Sequence, residues 1–240
     1  MIRRLVAEFV GTALLVTVVV GSGIAAARLS PDNVGLQLLE NSIATALGLA
    51  VLILPFGPVS GAHFNPVVSV VDWLLGRGGG RGLDGPQVAA YSVVQAAGSI
   101  AGALLANAMY GVRLLELSTK PRSGSGQLIG EVVATAGLIA LVFALARSGR
   151  TGLSAAAVGA YIGAAYWFTS STAFANPAVT VGRMFSDTFA GIAPASAPGF
   201  VVAQCVGGLI GLGLVVALYP DAARGADAAV VPHEHEGRLP

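Results

Sequence analysis

Charge is what this sequence has least of. Only 10% of its 240 residues are Asp, Glu, Lys or Arg, well below the ~25% with which a soluble domain keeps its surface wetted. A water-soluble globule is excluded; 55% apolar residues and a mean hydropathy of +0.77 point to a lipid bilayer. Neither sign of charge dominates, since 13 Lys and Arg against 12 Asp and Glu leave a net +1, too weak a field for nucleic acid. The single cysteine, Cys205, permits no internal disulfide and no cysteine-based metal cluster. The apolar part holds no Ser/His/Asp set, carboxylate dyad, phosphate loop or cluster of metal ligands, so neither an enzyme nor a cofactor is expected.

A helix crosses ~30 Å of hydrocarbon with about 20 mainly apolar residues. Six stretches qualify, at approximately 5–27, 37–56, 87–110, 127–146, 151–171 and 199–219, and charge and turn residues gather between them at Ser30–Asn33, Gly78–Arg81, Lys120–Gly124 and Arg147–Arg150. Arg3-Arg4 and Ala25-Ala26-Ala27 flank the first run as in a signal peptide. That run is too long for the role and carries Glu8, so it reads as a retained span. With both termini cytoplasmic, the inner side holds Arg3, Arg4, Arg77, Arg81, Arg147, Arg150, Arg224 and Arg238, outnumbering Arg28, Arg113, Lys120, Arg122 and Arg183 outside. Residues 1–219 read as one membrane domain and residues 220–240 as a disordered cytoplasmic tail, its His233-Glu234-His235-Glu236 solvated rather than metal-binding.

Three landmarks occur twice, in the same order. Glu8 with Thr12 matches Glu131 with Thr135; Ser60-Gly61-Ala62-His63-Phe64-Asn65-Pro66 matches Ser171-Thr172-Ala173-Phe174-Ala175-Asn176-Pro177; Gln95 with Gly98 and Gly102 matches Gln204 with Gly207 and Gly211. The repeat halves are about 1–112 and 127–219. Three spans per half make the repeat inverted, which places a shared site near the midplane where interrupted helices meet. The paired glycines read as close helix packing.

Asn is a favoured N-cap and Pro a favoured first helical residue, so Asn65-Pro66 and Asn176-Pro177 each start a helix. The runs that follow, 67–75 and 178–185, are too short to span and read as half-helices dipping in from opposite faces. Each N-terminus carries roughly +0.5 charge, which repels a cation. Each Asn oxygen caps its helix, leaving the NH2 to donate to a passing water or hydroxyl. A water held by both donates onward in both directions, which breaks a proton wire. Carbonyls of the extended segments Gly61–Phe64 and Thr172–Ala175 supply acceptors.

In these paired motifs the sequence resembles the aquaporin and aquaglyceroporin (major intrinsic protein) family over residues 1–219. The resemblance implies an all-α fold of six transmembrane helices plus two re-entrant half-helices around a pore in each protomer of a homotetramer. It also implies that Glu8 and Glu131 brace the re-entrant loops and that His63 helps to hold the first. Two departures stand out: Val67 follows Pro66 where the family usually has Ala, a methyl-scale narrowing of the junction, and Val179 stands where the family places the Arg of its outer constriction. Ungapped spacing from the motifs carries the other constriction positions to Thr45, Ala164 and Ala173. All are small or apolar, so a wide constriction passing larger neutral solutes is expected. Arg183, one turn beyond Val179, is expected to line the outer vestibule, and Asp72, its counterpart in the repeat, the inner one.

The motif without its filter Arg resembles a bacterial branch linked with arsenic detoxification, and arsenite is a neutral trihydroxy molecule comparable with a small polyol. The expected function is passive passage of small neutral solutes. Three rivals remain: a mainly water-conducting channel, an inverted-repeat secondary transporter, and a structural protein whose pore is blocked by Val67, Phe64 or Phe174.

Overall fold

Apolar runs of this length satisfy their backbone in lipid as helices. The described residues, 1–77 and 82–219 of a computed structural model, contain helices and no strand. They are α1 (Ile2–Leu29), α2 (Val34–Ser60), α3 (Pro66–Gly76), α4 (Gly85–Met109), α5 (Ser125–Arg147), α6 (Ser154–Phe168), α7 (Pro177–Arg183) and α8 (Ala197–Leu218). The loop at 78–81 and the tail at 220–240, with its His-Glu stretch, lie outside the described residues.

Helix starts follow local chemistry. Asn33 caps α2 by accepting from the Leu36 amide, and Asp84 closes a capping box with Gln87 at the start of α4. Five helices, α1, α2, α4, α5 and α8, are long and apolar enough to cross a membrane. The span expected at 151–171 is shorter than foreseen: a 3-10 turn at Thr151–Leu153 leads into the 15-residue α6, and the chain leaves the helix at Thr169 in extended geometry. Conversely, α2 continues past its expected end at 56, through Pro55 and Pro58, until Gly61 ends it in left-handed geometry at φ 90°. Each proline removes only its own donor, which a helix packed among others tolerates.

The packing has matched halves. α1 contacts α2 and α4 as α5 contacts α6 and α8, with α2 against α6 at the centre. The short helices are exchanged: α3 reaches α8 and α7 reaches α4. The paired glycines set the tightest crossings, since a Cβ at Gly98 or Gly102 would lie 2.3 or 2.1 Å from carbonyl oxygens of α1. At Gly207 and Gly211 the same atom would lie 2.5 and 2.6 Å from carbonyl oxygens of α5. Backbones this close gain dispersion that lipid cannot supply. Large apolar side chains such as Leu47, Leu54, Val93 and Leu209 face outward, as a lipid-facing surface requires.

Candidate functional site

Two buried carboxylates organise the segments before the short helices. Glu8 Oε1 accepts from Ser60 Oγ at 2.6 Å and the His63 amide at 3.0 Å; its Oε2 accepts from the Phe64 amide and Gln95 Nε2, both at 2.7 Å. Glu131 repeats the pattern, accepting from the amides of Phe174 and Ala175 at 2.9 and 2.8 Å and from Gln204 Nε2 at 2.7 Å. Each loop thus turns its amides onto a carboxylate from the first helix of its own half. His63 Nδ1 lies 3.0 Å from Ser69 Oγ, and its ring stacks edge-on against Tyr91.

The segments are not extended, contrary to the sequence expectation. Ala62, Phe64, Thr172, Ala173 and Ala175 all have φ between 45° and 64°, a region that costs a non-glycine residue about 1–3 kcal/mol and persists where surroundings over-determine it. The carboxylates do the over-determining. A Phe at such a position also needs room: its ring lies against Gly11, where a Cβ would come within 2.0 Å of Phe64 Cε1.

Both Asn–Pro pairs start helices as expected. Asn65 Oδ1 accepts from the Val67 amide, and Asn176 Oδ1 from the amides of Ala178 and Val179. The NH2 groups are more engaged than the sequence suggests. Asn65 Nδ2 donates to the Ala175 carbonyl at 2.8 Å, and Asn176 Nδ2 to the Phe64 carbonyl at 2.7 Å. One N–H of each amide is spent on locking the halves together, and the other makes no hydrogen bond among the described residues.

A cavity with about 60 Å³ of space for water centres passes both asparagines. At ~10–15 Å³ per water that is room for roughly four to six. Among the expected residues, Asn65, Asn176, Ala62, His63, Phe64, Ala173, Phe174, Ala175, Thr45, Val179 and Arg183 line it. Gly61 and Thr172 do not; both turn the loop backbone through positive φ, 90° and 64°. Ala164 is exposed, and its neighbours Ile162 and Tyr166 line the cavity instead. Two residues turn a helix by ~200°, so ungapped counting selected the opposite face of α6. Asp72 is buried away from the cavity, accepting from the Leu83 amide at 2.8 Å, and so faces no inner vestibule.

Val67 does not narrow the junction either. It lies outside the cavity and packs on α8, where a Cβ at Gly208 would fall 2.4 Å from Val67 Cγ1. The larger residue at 67 is accommodated by the missing one at 208. Gly208→Ala is therefore expected to destabilise the fold by about 1–3 kcal/mol through overpacking. In thermal unfolding in detergent, adding Val67→Ala recovers most of that loss; a strictly additive double mutant would contradict the pairing.

Sequence reading missed Tyr166 and Arg122. Tyr166 OH lies 3.2 Å from Thr45 Oγ1, joining α6 to α2 at the cavity wall. Arg122, buried in the α4–α5 loop, donates from Nε to the Gly191 carbonyl at 2.8 Å and from its terminal nitrogens to the carbonyls of Ser171 and Phe189. Lys120 Nζ donates to the Phe189 carbonyl, and Arg183 Nε to that of Ala190. Three consecutive carbonyls, 189 to 191, thus hold three cations. Arg183 and Arg122 also face the Phe174 ring, with Cζ at 3.4 and 5.0 Å from its centroid. Burial lowers Arg122 from its ordinary value, against an opposing pull from Tyr166 and Glu131. Burial, aided by Arg122 and Arg183, brings Lys120 down to about 8, so the cluster of cations around carbonyls 189–191 sheds one positive charge as pH rises through that value.

The sequence profile described as Major intrinsic protein matches residues 1–172. Aquaglyceroporin AqpS of Rhizobium meliloti is 49% identical over 213 residues, covering 89% of this chain and 88% of that protein. The glycerol uptake facilitator protein of Pseudomonas aeruginosa is 30% identical, with 92% of each chain covered. Among solved structures, the aquaglyceroporin from Plasmodium falciparum superposes with a TM-score of 0.67 over 92% of this chain and 98% of its own, at 18% identity, a likeness that speaks to the fold. With its helices, exchanged half-helices and paired Asn–Pro caps, the chain belongs to the major intrinsic protein family, multi-pass membrane channels rather than enzymes.

Proposed function

We propose that this channel passes small neutral hydroxylated solutes passively, polyols and arsenite-like metalloid hydroxides among them, together with water, while excluding protons. The observation that carries this reading is the pair of helix-capping asparagines beside one cavity, each with one N–H left over. A water accepting from both must point its own hydrogens outward, so protons find no continuous wire, and the two electropositive helix ends repel hydronium. The relatives named for glycerol uptake and as an aquaglyceroporin fit the solute class. Glu8, Glu131, Pro66 and Pro177 hold the geometry. The termini are cytoplasmic, and four copies assemble, each with its own pathway.

A mainly water-conducting channel is the second reading, favoured by the small volume of the cavity and by Tyr166 where a smaller side chain was expected. Swelling of proteoliposomes in glycerol, urea and arsenite beside pure osmotic water flow separates the two. The proposal expects solute flux well above that of empty liposomes, linear in concentration and indifferent to a proton gradient. Water flux alone supports the second reading. Saturation with gradient dependence indicates a carrier, and no flux of any kind a blocked pore.

A further inference from the structure

The end of the cavity beside α7 holds a charged group with unspent donors. Arg183 is only 2% exposed and lines the cavity. It makes one hydrogen bond, from Nε to the Ala190 carbonyl, and its guanidinium carbon lies over the Phe174 ring, 3.4 Å from the centroid. Among the described residues its two terminal nitrogens make no hydrogen bond and no carboxylate pairs with it. A guanidinium buried this deeply, with four N–H donors free, lacks partners that something in the cavity must supply.

The surroundings fix where those donors can go. Phe174 also packs edge-on against Phe200 at 5.1 Å, and Arg122 approaches the same ring. Arg122 in turn spends its donors on the 189–191 strap and Ser171, so it serves as a clamp and leaves Arg183 the group that faces solute. Thr45 and Tyr166 line the same cavity with a hydroxyl pair, and Tyr166 lies within electrostatic reach of both arginines. That pair uses one hydrogen between its members, leaving one hydroxyl hydrogen and spare lone pairs. The wall thus offers guanidinium donors for solute oxygens and hydroxyl acceptors for solute O–H groups.

We infer that Arg183 is the charge- and solute-selecting residue of the channel's outer constriction, held by the 189–191 carbonyls and Phe174 and acting with the Thr45–Tyr166 hydroxyl pair. The inference rests on the channel reading above. Position 179, one turn inward on α7, carries no charge, so the fixed positive charge enters the wall one turn further along the helix. Neutral polyhydroxylated solutes find both donors and acceptors there, while a metal cation or hydronium meets a guanidinium with no carboxylate in ion-pair contact among the described residues. Lys120 and Arg122 add positive charge to the barrier; Glu131 is the carboxylate whose field reaches both arginines, but its oxygens are taken by the amides of Phe174 and Ala175 and by Gln204 Nε2.

The test is Arg183→Met in proteoliposomes, with potassium and proton flux measured beside glycerol and water flux. Two unit charges several ångströms apart at an effective dielectric of ~20 interact strongly enough that removing one raises cation flux at least about tenfold. The expected result is that rise with water flux retained and the glycerol-to-water ratio changed. A folded, conducting variant as cation-tight as the parent overturns the inference and leaves the channel reading intact. A parent that conducts nothing overturns the channel reading itself. Should Arg183→Met fail to accumulate, Arg183→Gln, which keeps an N–H for the Ala190 carbonyl, carries the same two outcomes. Failure of both neutral variants to fold while Arg183→Lys folds assigns the group to the fold and overturns the inference. Restored cation exclusion in Val179→Arg/Arg183→Met, with reduced glycerol flux, supports it further.

Discussion

Glu8→Leu is expected to yield no folded protein extractable in mild detergent. Four buried donors lose their acceptor at once: Ser60 Oγ, the amides of His63 and Phe64, and Gln95 Nε2. Each orphaned donor costs about 1–3 kcal/mol, so the total of ~4–12 kcal/mol rivals the whole stability of a typical domain, ~5–15 kcal/mol. The left-handed residues Ala62 and Phe64 lose their restraint with it. Glu131→Leu strips three donors and is expected to be nearly as damaging. Monodispersity on gel filtration reads the outcome directly. A monodisperse Glu8→Leu protein with parental thermal stability would show that the carboxylate is dispensable to the loop.

Val179→Arg is expected to cut glycerol and arsenite permeability at least about tenfold while water flux survives. Val179 lines a cavity with about 60 Å³ for water centres, close to the Asn176 cap. A guanidinium there occupies space that a polyol needs and that a single water file does not. It also stands one turn from Arg183, and like charges at that spacing push each other toward opposite ends of the passage. Stopped-flow light scattering gives both permeabilities on one sample. Unchanged solute selectivity would mean that position 179 lies beside a part of the passage that does not limit flux.

How much of this was legible beforehand divides along a physical line. Bilayer thickness and hydropathy mark the spans, and the start of each half-helix is local chemistry, an Asn cap followed by Pro, so the starts of α3 and α7 could be placed within a residue, whereas α7 ends at Arg183, two residues before the expected 185. The matched carboxylates were legible because the repeat displays them twice. Arg122 was not, since it sits among Pro, Ser and Gly in a loop that reads as solvated, and its burial depends on a strap some seventy residues away. Tyr166 was not, because α6 is apolar all round and periodicity gives it no inward face. Left-handed geometry at Ala and Phe leaves no mark in sequence at all; it follows from where distant carboxylates stand. Val67 looked like a narrowing because its partner, Gly208, is on another helix.

The crossed carboxamide bonds also constrain how the channel is made. Asn65 needs a carbonyl 110 residues downstream, and Asn176 one 112 residues upstream. At ~5–20 residues per second of synthesis, the first re-entrant segment waits roughly 5–20 s for its counterpart to leave the ribosome. During that interval its left-handed turns have only partners from their own half, Glu8, Ser60, Ser69 and Tyr91 among them, while the Asn65 carboxamide still lacks its carbonyl across the seam. The lock between the two re-entrant segments therefore closes only after the second half has been made.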